Sequence, residues 1–270
     1  MILVPESGSA PKTKSEEANL ERAPEVNMED PPPYVDSQEG SSTIQPPSRA
    51  LPNIRPSNFV CLSRQNDSVK GSWIIDPTMV IPSAFLPSVP EDETEQTRSN
   101  ISLSSKNGAV SADIFVLPTS NHTSLPITHR KQIIIRGASH NGSVTLKIHE
   151  IASEGKRLPM QIHGFSANGN INIYVPRSFQ GPVSVKLRNG NLRFSETVKA
   201  SVTQFSEMNG MQRSFIGDFD ANAIQNAGEW AGDTLSLESR NGSVKVYFDD
   251  EVDEPTRLKS QSFLGRLFSF

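Results

Sequence analysis

An all-β body made of repeated strand-turn-strand units is the fold class this sequence predicts, and two observations predict it. The first is recurrence. The cleanest copy of the unit is Ser239-Arg240-Asn241-Gly242-Ser243-Val244-Lys245-Val246-Tyr247-Phe248, and four others centre on Asn107-Gly108, Asn141-Gly142, Asn168-Gly169 and Asn189-Gly190. Each sets Asn and Gly, which tolerate the positive φ angles of a tight turn, between runs that alternate apolar and polar residues as a half-buried strand does. The second observation is register. With Asn107 and Gly108 as the loop of a type I′ turn, Leu103 lies opposite Ala112 and Ile101 opposite Ile114. The same count sets Ile135 with Ile148, Ile162 with Val175, Val185 with Phe194 and Leu237 with Val246. Apolar meets apolar in five copies, which a slip of one residue would destroy. Asn209-Gly210 fails this test, because Glu207 would face Gln212, and reads as an ordinary loop. Two architectures satisfy the pattern: a solenoid-like stack containing hairpins, or an antiparallel two-sheet sandwich of hairpins.

In chain order, residues 1–52 form a Pro/Ser/Glu-rich tail holding nine of the 20 prolines, and nine acids against four bases. Such a segment buries too little to offset its ordering entropy and is expected to be disordered. Within it, Pro31, Pro32 and Tyr34 match the Pro-Pro-x-Tyr pattern that WW domains bind as a preformed polyproline II segment; a proline-rich linker ending by chance in Tyr is the bland alternative. The β-repeat domain is expected over 53–253. Asn58 to Leu62 and Val69 to Ile75 read as its first two strands, with Asp67 and Ser68 between them and Asp76-Pro77 ending the second. Ile81, Phe85 and Leu86 are expected to pack across an open end of the sheets, and the acids from Glu91 onward to form a solvated loop. Residues 254–270 make a basic-aromatic tail. As a short helix it would set Phe263, Leu264, Leu267 and Phe268 on one side, to cap the β stack or to contact a membrane surface or partner groove.

Composition excludes little but guides the rest. The body beyond residue 52 has 21 acids and 22 bases with no evident Lys- or Arg-rich face, so no nucleic-acid partner is expected. Cys61 is the sole cysteine and rules out an internal disulfide. The opening Met1-Ile2-Leu3-Val4-Pro5 is too short for a signal-peptide core and no apolar run is long enough for a spanning helix, so a cytoplasmic location is expected and a cell-surface one less so. The sequons at Asn66, Asn100, Asn121, Asn141 and Asn241 then stay unglycosylated.

Metal and catalytic candidates are weak. Asp218, Asp220, Asn222 and Glu229 sit at the first, third, fifth and twelfth places of a calcium-type loop, but Ala223 occupies the place where that loop needs Gly and no amphipathic helices flank it. An acidic connection between strands is the plainer reading, so no metal and no cofactor are expected. His149 and His163 fall at positions alternating with the apolar face and read as exposed strand residues, and no His pairs with Cys61 or another His at a ligand spacing. No Gly-x-Ser-x-Gly elbow or Gly-rich phosphate loop occurs, so no catalytic residue is assigned.

The series Ile74-Ile75-Asp76-Pro77, the Ser-x-Asn-Gly units, Phe215-Ile216-Gly217-Asp218 and the run from Trp230 to Val244 resembles a fungal family known as domain of unknown function 7330. Its repeats resemble those of the bacterial putative-adhesin family, whose Asn-Gly-punctuated coils form β-solenoids. The resemblance implies a solenoid-like stack and a fungal host, and implies no catalytic residue. The function expected is a non-enzymatic intracellular interaction scaffold with a WW-binding arm, whose reader would be a protein such as a ubiquitin ligase. The alternatives are an adhesin-like cell-surface or wall-binding protein and a carbohydrate-active β-helix enzyme; the oligomeric state is left open.

Overall fold

The computed structural model describes residues 51–89, 93–95, 97–119, 132–151, 157–219 and 230–251. The tail with Pro31, Pro32 and Tyr34, the C-terminal tail, and Asp220, Asn222 and Glu229 lie outside them. Six strand pairs build the body. They are β1 (Val60–Arg64) with β2 (Val69–Ile75), β3 (Ile101–Ser105) with β4 (Val110–Val116), and β5 (Ile133–Ser139) with β6 (Val144–Glu150). Next come β7 (Met160–Ser166) with β8 (Ile171–Val175), and β9 (Gly181–Asn189) with β10 (Leu192–Phe194). A short helix α1 (Glu196–Lys199) and a hairpin of β11 (Val202–Met208) and β12 (Met211–Ile216) intervene before β13 (Thr234–Asn241) and β14 (Val244–Phe248).

The two strands of a unit do not pair with each other. The first of each belongs to an eight-stranded sheet ordered β1-β3-β5-β7-β13-β9-β12-β11, and the second to a six-stranded sheet ordered β10-β14-β8-β6-β4-β2. Every neighbour within the stack is parallel; only β9-β12 and β12-β11 run antiparallel. The expected hairpins are thus replaced by corners that carry the chain from one sheet to the other, and the body is solenoid-like. The facing pairs survive this change. Leu103 and Ala112, Ile101 and Ile114, Ile135 and Ile148, and Leu237 and Val246 are all buried in one continuous core. Hydrogen-bonded partners in a hairpin and residues facing each other across two packed sheets both put i and j on one apolar side, so the apolar test cannot tell them apart.

Why corners form instead of hairpins is visible in the backbone. A type I′ turn needs positive φ at both loop residues. Among the described Asn-Gly pairs only Asn209 (52°) and Gly210 (76°) have it, and these close the hairpin between β11 and β12 with Glu207 opposite Gln212. The pair dismissed as a loop is the true hairpin turn. At the other corners Gly is required by crowding. A Cβ on Gly108 would lie 2.4 Å from the Asp67 carbonyl oxygen, one on Gly142 2.4 Å from that of Gly108, and one on Gly169 2.3 Å from that of Gly142. The Asn side chains bridge the same interval. Asn107 donates to Asn66, Asn141 to Asn107, Asn168 to Asn141, Asn241 to Asn168 and Asn189 to Asn241, each at 2.8–2.9 Å. The Ser two places earlier points inward, Ser139 Oγ donating to the Gly108 carbonyl and Ser166 Oγ to that of Gly142.

The last unit in the chain is not last in the stack. β13 pairs with β7 on one side and β9 on the other, and β14 with β8 and β10, so the final coil lies between the fourth and fifth. Val198 of α1 is fully buried against this end of the core. At the opposite end Ser57 bridges Ile75 in parallel and continues the sheet for one residue. Of the three apolar residues expected to pack across the sheet ends, Phe85 does not, being 80% exposed on a 3-10 turn between Pro82 and Pro87, while Ile81 and Leu86 are half-buried.

Gly169→Ala should destabilise the fold by about 3 kcal/mol, since backbone rather than a flexible side chain must yield. Urea denaturation would check this, with a loss under about 1 kcal/mol contradicting the steric account of the corners.

Candidate functional site

Three polar clusters stand out in the body, and each is built by the strand register. The first lies at the strand ends opposite the corners. Arg157, just before β7, places both terminal guanidinium nitrogens 2.7 Å from the Asp233 carboxylate at the entrance to β13. The same carboxylate accepts the backbone N–H of Met160 at 2.8 Å and of Gln180 at 3.1 Å. Arg157 also donates to Glu150 at 3.1 Å and to Ser178, whose hydroxyl donates to Glu150 as well. Burial works against the Arg157 charge, but its hydrogen bond to Asp233 and the charges of Asp233 and Glu150 outweigh it and hold the guanidinium pKa above its ordinary value. Asp233 thus binds the inserted last coil to the fourth and fifth.

The second cluster is on the outward side of the six-stranded sheet. His149, expected to be exposed, is 3% exposed, with Nδ1 2.9 Å from Asp249 Oδ2 and Nε2 3.7 Å from Asp113. Its ring packs on Phe115 with centroids 4.8 Å apart. Alternation places His149 on the outer side correctly; the burial of that side is what periodicity could not convey. Beside it Tyr174 and Tyr247 stack at 4.8 Å, and Lys147 sits 4.9 Å above the Tyr174 ring.

The third cluster is on the outward side of the eight-stranded sheet, where Arg136 and His163 are register partners. Glu93 lies 3.4 Å from Arg136 and accepts both the hydroxyl and the N–H of Ser99. Half-burial lowers the His163 pKa, the Arg136 charge lowers it further, and Glu93 raises it less.

Of the earlier candidates, Asp218 is exposed just beyond β12 and its backbone carbonyl accepts from Gln180. Among the described residues, no three His, Cys, Asp or Glu side chains come together as a metal-binding group. The ten turn residues from Asn107 to Gly242 are gathered along one edge. That edge is flanked by two shallow depressions of about 430 and 320 Å3, the larger lined by Lys186, Arg188, Glu238 and Arg240 among others. No sequence signal marked Arg157, Asp233 or the His149 pair, because each joins residues far apart in the chain. Among the described residues no helix is long and apolar enough to cross a membrane, which says nothing of β-barrels.

Asp233→Ala leaves a buried guanidinium without its carboxylate and should cost about 3–5 kcal/mol, read as a shift in the urea midpoint. His163 binds its proton less readily folded than unfolded, so its contribution to stability is complete above the ordinary imidazole value of 6.5 and is lost as pH falls through the lowered folded value. His163→Gln should flatten the pH dependence of unfolding over about pH 5 to 7, checked by urea titrations at several pH values.

Neither the curated proteins nor the solved structures contain a match to this chain. The family described as a domain of unknown function, DUF7330, matches residues 58–251, from two residues before the first strand to three residues after the last, and with well over half its length covered the chain belongs to the DUF7330 family.

Proposed function

We propose that this DUF7330 protein is a non-enzymatic interaction scaffold of the cell interior: a rigid β body with an N-terminal arm that recruits a WW-domain protein, such as a ubiquitin ligase, through Pro31, Pro32 and Tyr34. One observation carries the scaffold reading. The polar side chains that the fold gathers are engaged in holding coils together, as the asparagine ladder and the Arg157–Asp233 pair do, and the carboxylates that accept the Ser178 and Ser99 hydroxyls, Glu150 and Glu93, are themselves paired with Arg157 and Arg136. Rigidity of that kind suits a platform. The acids that a carbohydrate-active enzyme would need near one another are paired instead, Asp233 with Arg157, Asp249 with His149 and Asp250 with Arg177.

The adhesin reading has less support. Asn100 is fully buried, donating to Asn58 and accepting from the Ile134 N–H, while Asn66, Asn141 and Asn241 supply amides to the ladder. A glycan on the nitrogen of Asn100, Asn141 or Asn241 would crowd the hydrogen bond that nitrogen donates, whereas Asn66 takes part through its oxygen.

The arm is tested with isolated WW domains. Tyr34→Ala should weaken binding of the full chain by at least about thirtyfold, since the aromatic ring is the anchor of such a contact. Equal binding by the two proteins would dispose of the recruiting arm.

A further inference from the structure

The strand register separates charge across the body. Every strand of the eight-stranded sheet that belongs to a coil runs toward the corners, and its partner in the six-stranded sheet starts from them, so residues near each Asn-Gly step share one rim. At the last two coils this rim gathers Lys186, Arg188, Arg193, Arg240 and Lys245, while Arg213 of the neighbouring β12 lies farther back, level with Ser184 in the middle of β9. Further along the rim come Arg64, Lys70 and Lys106, and all nine cations are exposed or half-exposed. Against them the rim holds three acids, Asp67, Glu207 and Glu238. At the opposite strand ends Asp76, Glu150, Glu196, Asp233, Asp249, Asp250 and Glu251 outnumber Arg157, Arg177 and Lys199.

Two features of the rim cost stability. Arg193 is the register partner of Lys245 in parallel strands, and Arg188 and Arg240 occupy equivalent places beside the Asn189–Asn241 rung, so two like-charged pairs flank one step of the ladder. Like charges directly opposite are unfavourable. Glu238 approaches Lys186 at 3.6 Å and Arg240 at 4.0 Å and so offsets part of this charge on one flank only.

We infer that this rim docks on a flat anionic surface, a bilayer containing anionic phospholipids. The rim is about 24 Å long over five coil steps and one sheet pair thick, with Lys186, Arg188 and Arg240 on the outer face of one sheet and Arg193 and Lys245 on that of the other, so the cations flank a narrow edge and enclose no small anion. The adjoining depression is shallow and open. Among the described residues no row of exposed aromatic rings interleaves the cations, as single-stranded nucleic acids require. The acidic far edge adds direction: in the field of a plane the basic rim is drawn in while the opposite edge is repelled. Anionic lipid also relieves the two like-charged pairs.

The test is co-sedimentation of the full-length protein with phosphatidylcholine vesicles, with and without phosphatidylserine. Binding is expected only with phosphatidylserine and should vanish near 1 M salt, where charges are screened within about 3 Å. Arg188→Glu with Arg240→Glu should lower partitioning by at least about thirtyfold, each cation near such a surface contributing about fivefold. Arg55→Glu with Lys199→Glu, the same charge change away from the rim, should leave it unaltered. The rim variant should unfold at an equal or higher urea concentration, and if it does not fold, Arg188→Gln with Arg240→Gln replaces it. Undiminished binding by the rim variant, equal loss in the control, or tighter binding to a DNA duplex than to phosphatidylserine vesicles would each overturn the inference.

Discussion

The structure depends on how closely successive corners approach one another. Backbone carbonyls of one coil lie where a Cβ of the next would be, so Gly is the residue that lets the sheets on both sides keep their hydrogen-bonded spacing. The Asn beside it spans the same gap through its side-chain amide, each one donating in the same direction along the stack. Exposed amide bonds of this kind contribute about 1 kcal/mol or less each, while each aliphatic side chain of the core contributes about 1.5–3 kcal/mol on burial. The core therefore supplies the stability, and the ladder sets which residue lies over which. Parallel in-register strands would otherwise slip easily wherever neighbouring rows look alike, as the Ser and Ile rows here do.

This constraint also explains which copies of the unit are imperfect. Asp67 occupies the glycine place of the first coil, and Leu187 the serine place of the coil formed by β9 and β10. These two coils end the series of six. Asp67 offers its carbonyl to Gly108 above, but among the described residues no further coil lies beneath to reject its side chain. The most regular copy, residues 239–248, is the one inserted between two others and must satisfy neighbours on both faces. Insertion sets β13 beside strands that precede it by more than 50 residues, contacts that are slow to form because the intervening chain must first be ordered. Asp233, bonded to two backbone N–H groups and to Arg157 at the point of entry, fixes that late arrival in one register.

How much of this was legible in the sequence follows from what each signal encodes. Alternation revealed the buried faces, and Leu103, Ile114, Ile148 and Val246 lie where it put them. It could not distinguish a hairpin from a corner, since the two differ in where backbone hydrogen bonds go and not in which side chains are buried. Asn209-Gly210 shows the reverse error: Glu207 and Gln212 are polar because the β11–β12 hairpin projects past the six-stranded sheet and has little core to cover, and 49% of Phe205 is exposed there for the same reason. Coil order was illegible, because any complete unit fits any interior slot. The clusters around Asp233 and His149 were illegible for a related cause, as each unites coils distant in the chain.

Charge was the most thoroughly concealed property. A body with 21 acids and 22 bases looks featureless in composition. The unit gives those charges fixed addresses, because the place before Asn and the place three after Gly both project from the corner, and in the last two coils they are filled by Arg188, Arg240, Arg193 and Lys245. Acids fill the turns at the far ends of the strands, where Asp233, Asp249 and Asp250 hold arginine and histidine partners. A repeat that fixes geometry this tightly turns a local sequence preference into a field spanning the whole body. Its direction runs along the strands, a coordinate that net charge does not contain.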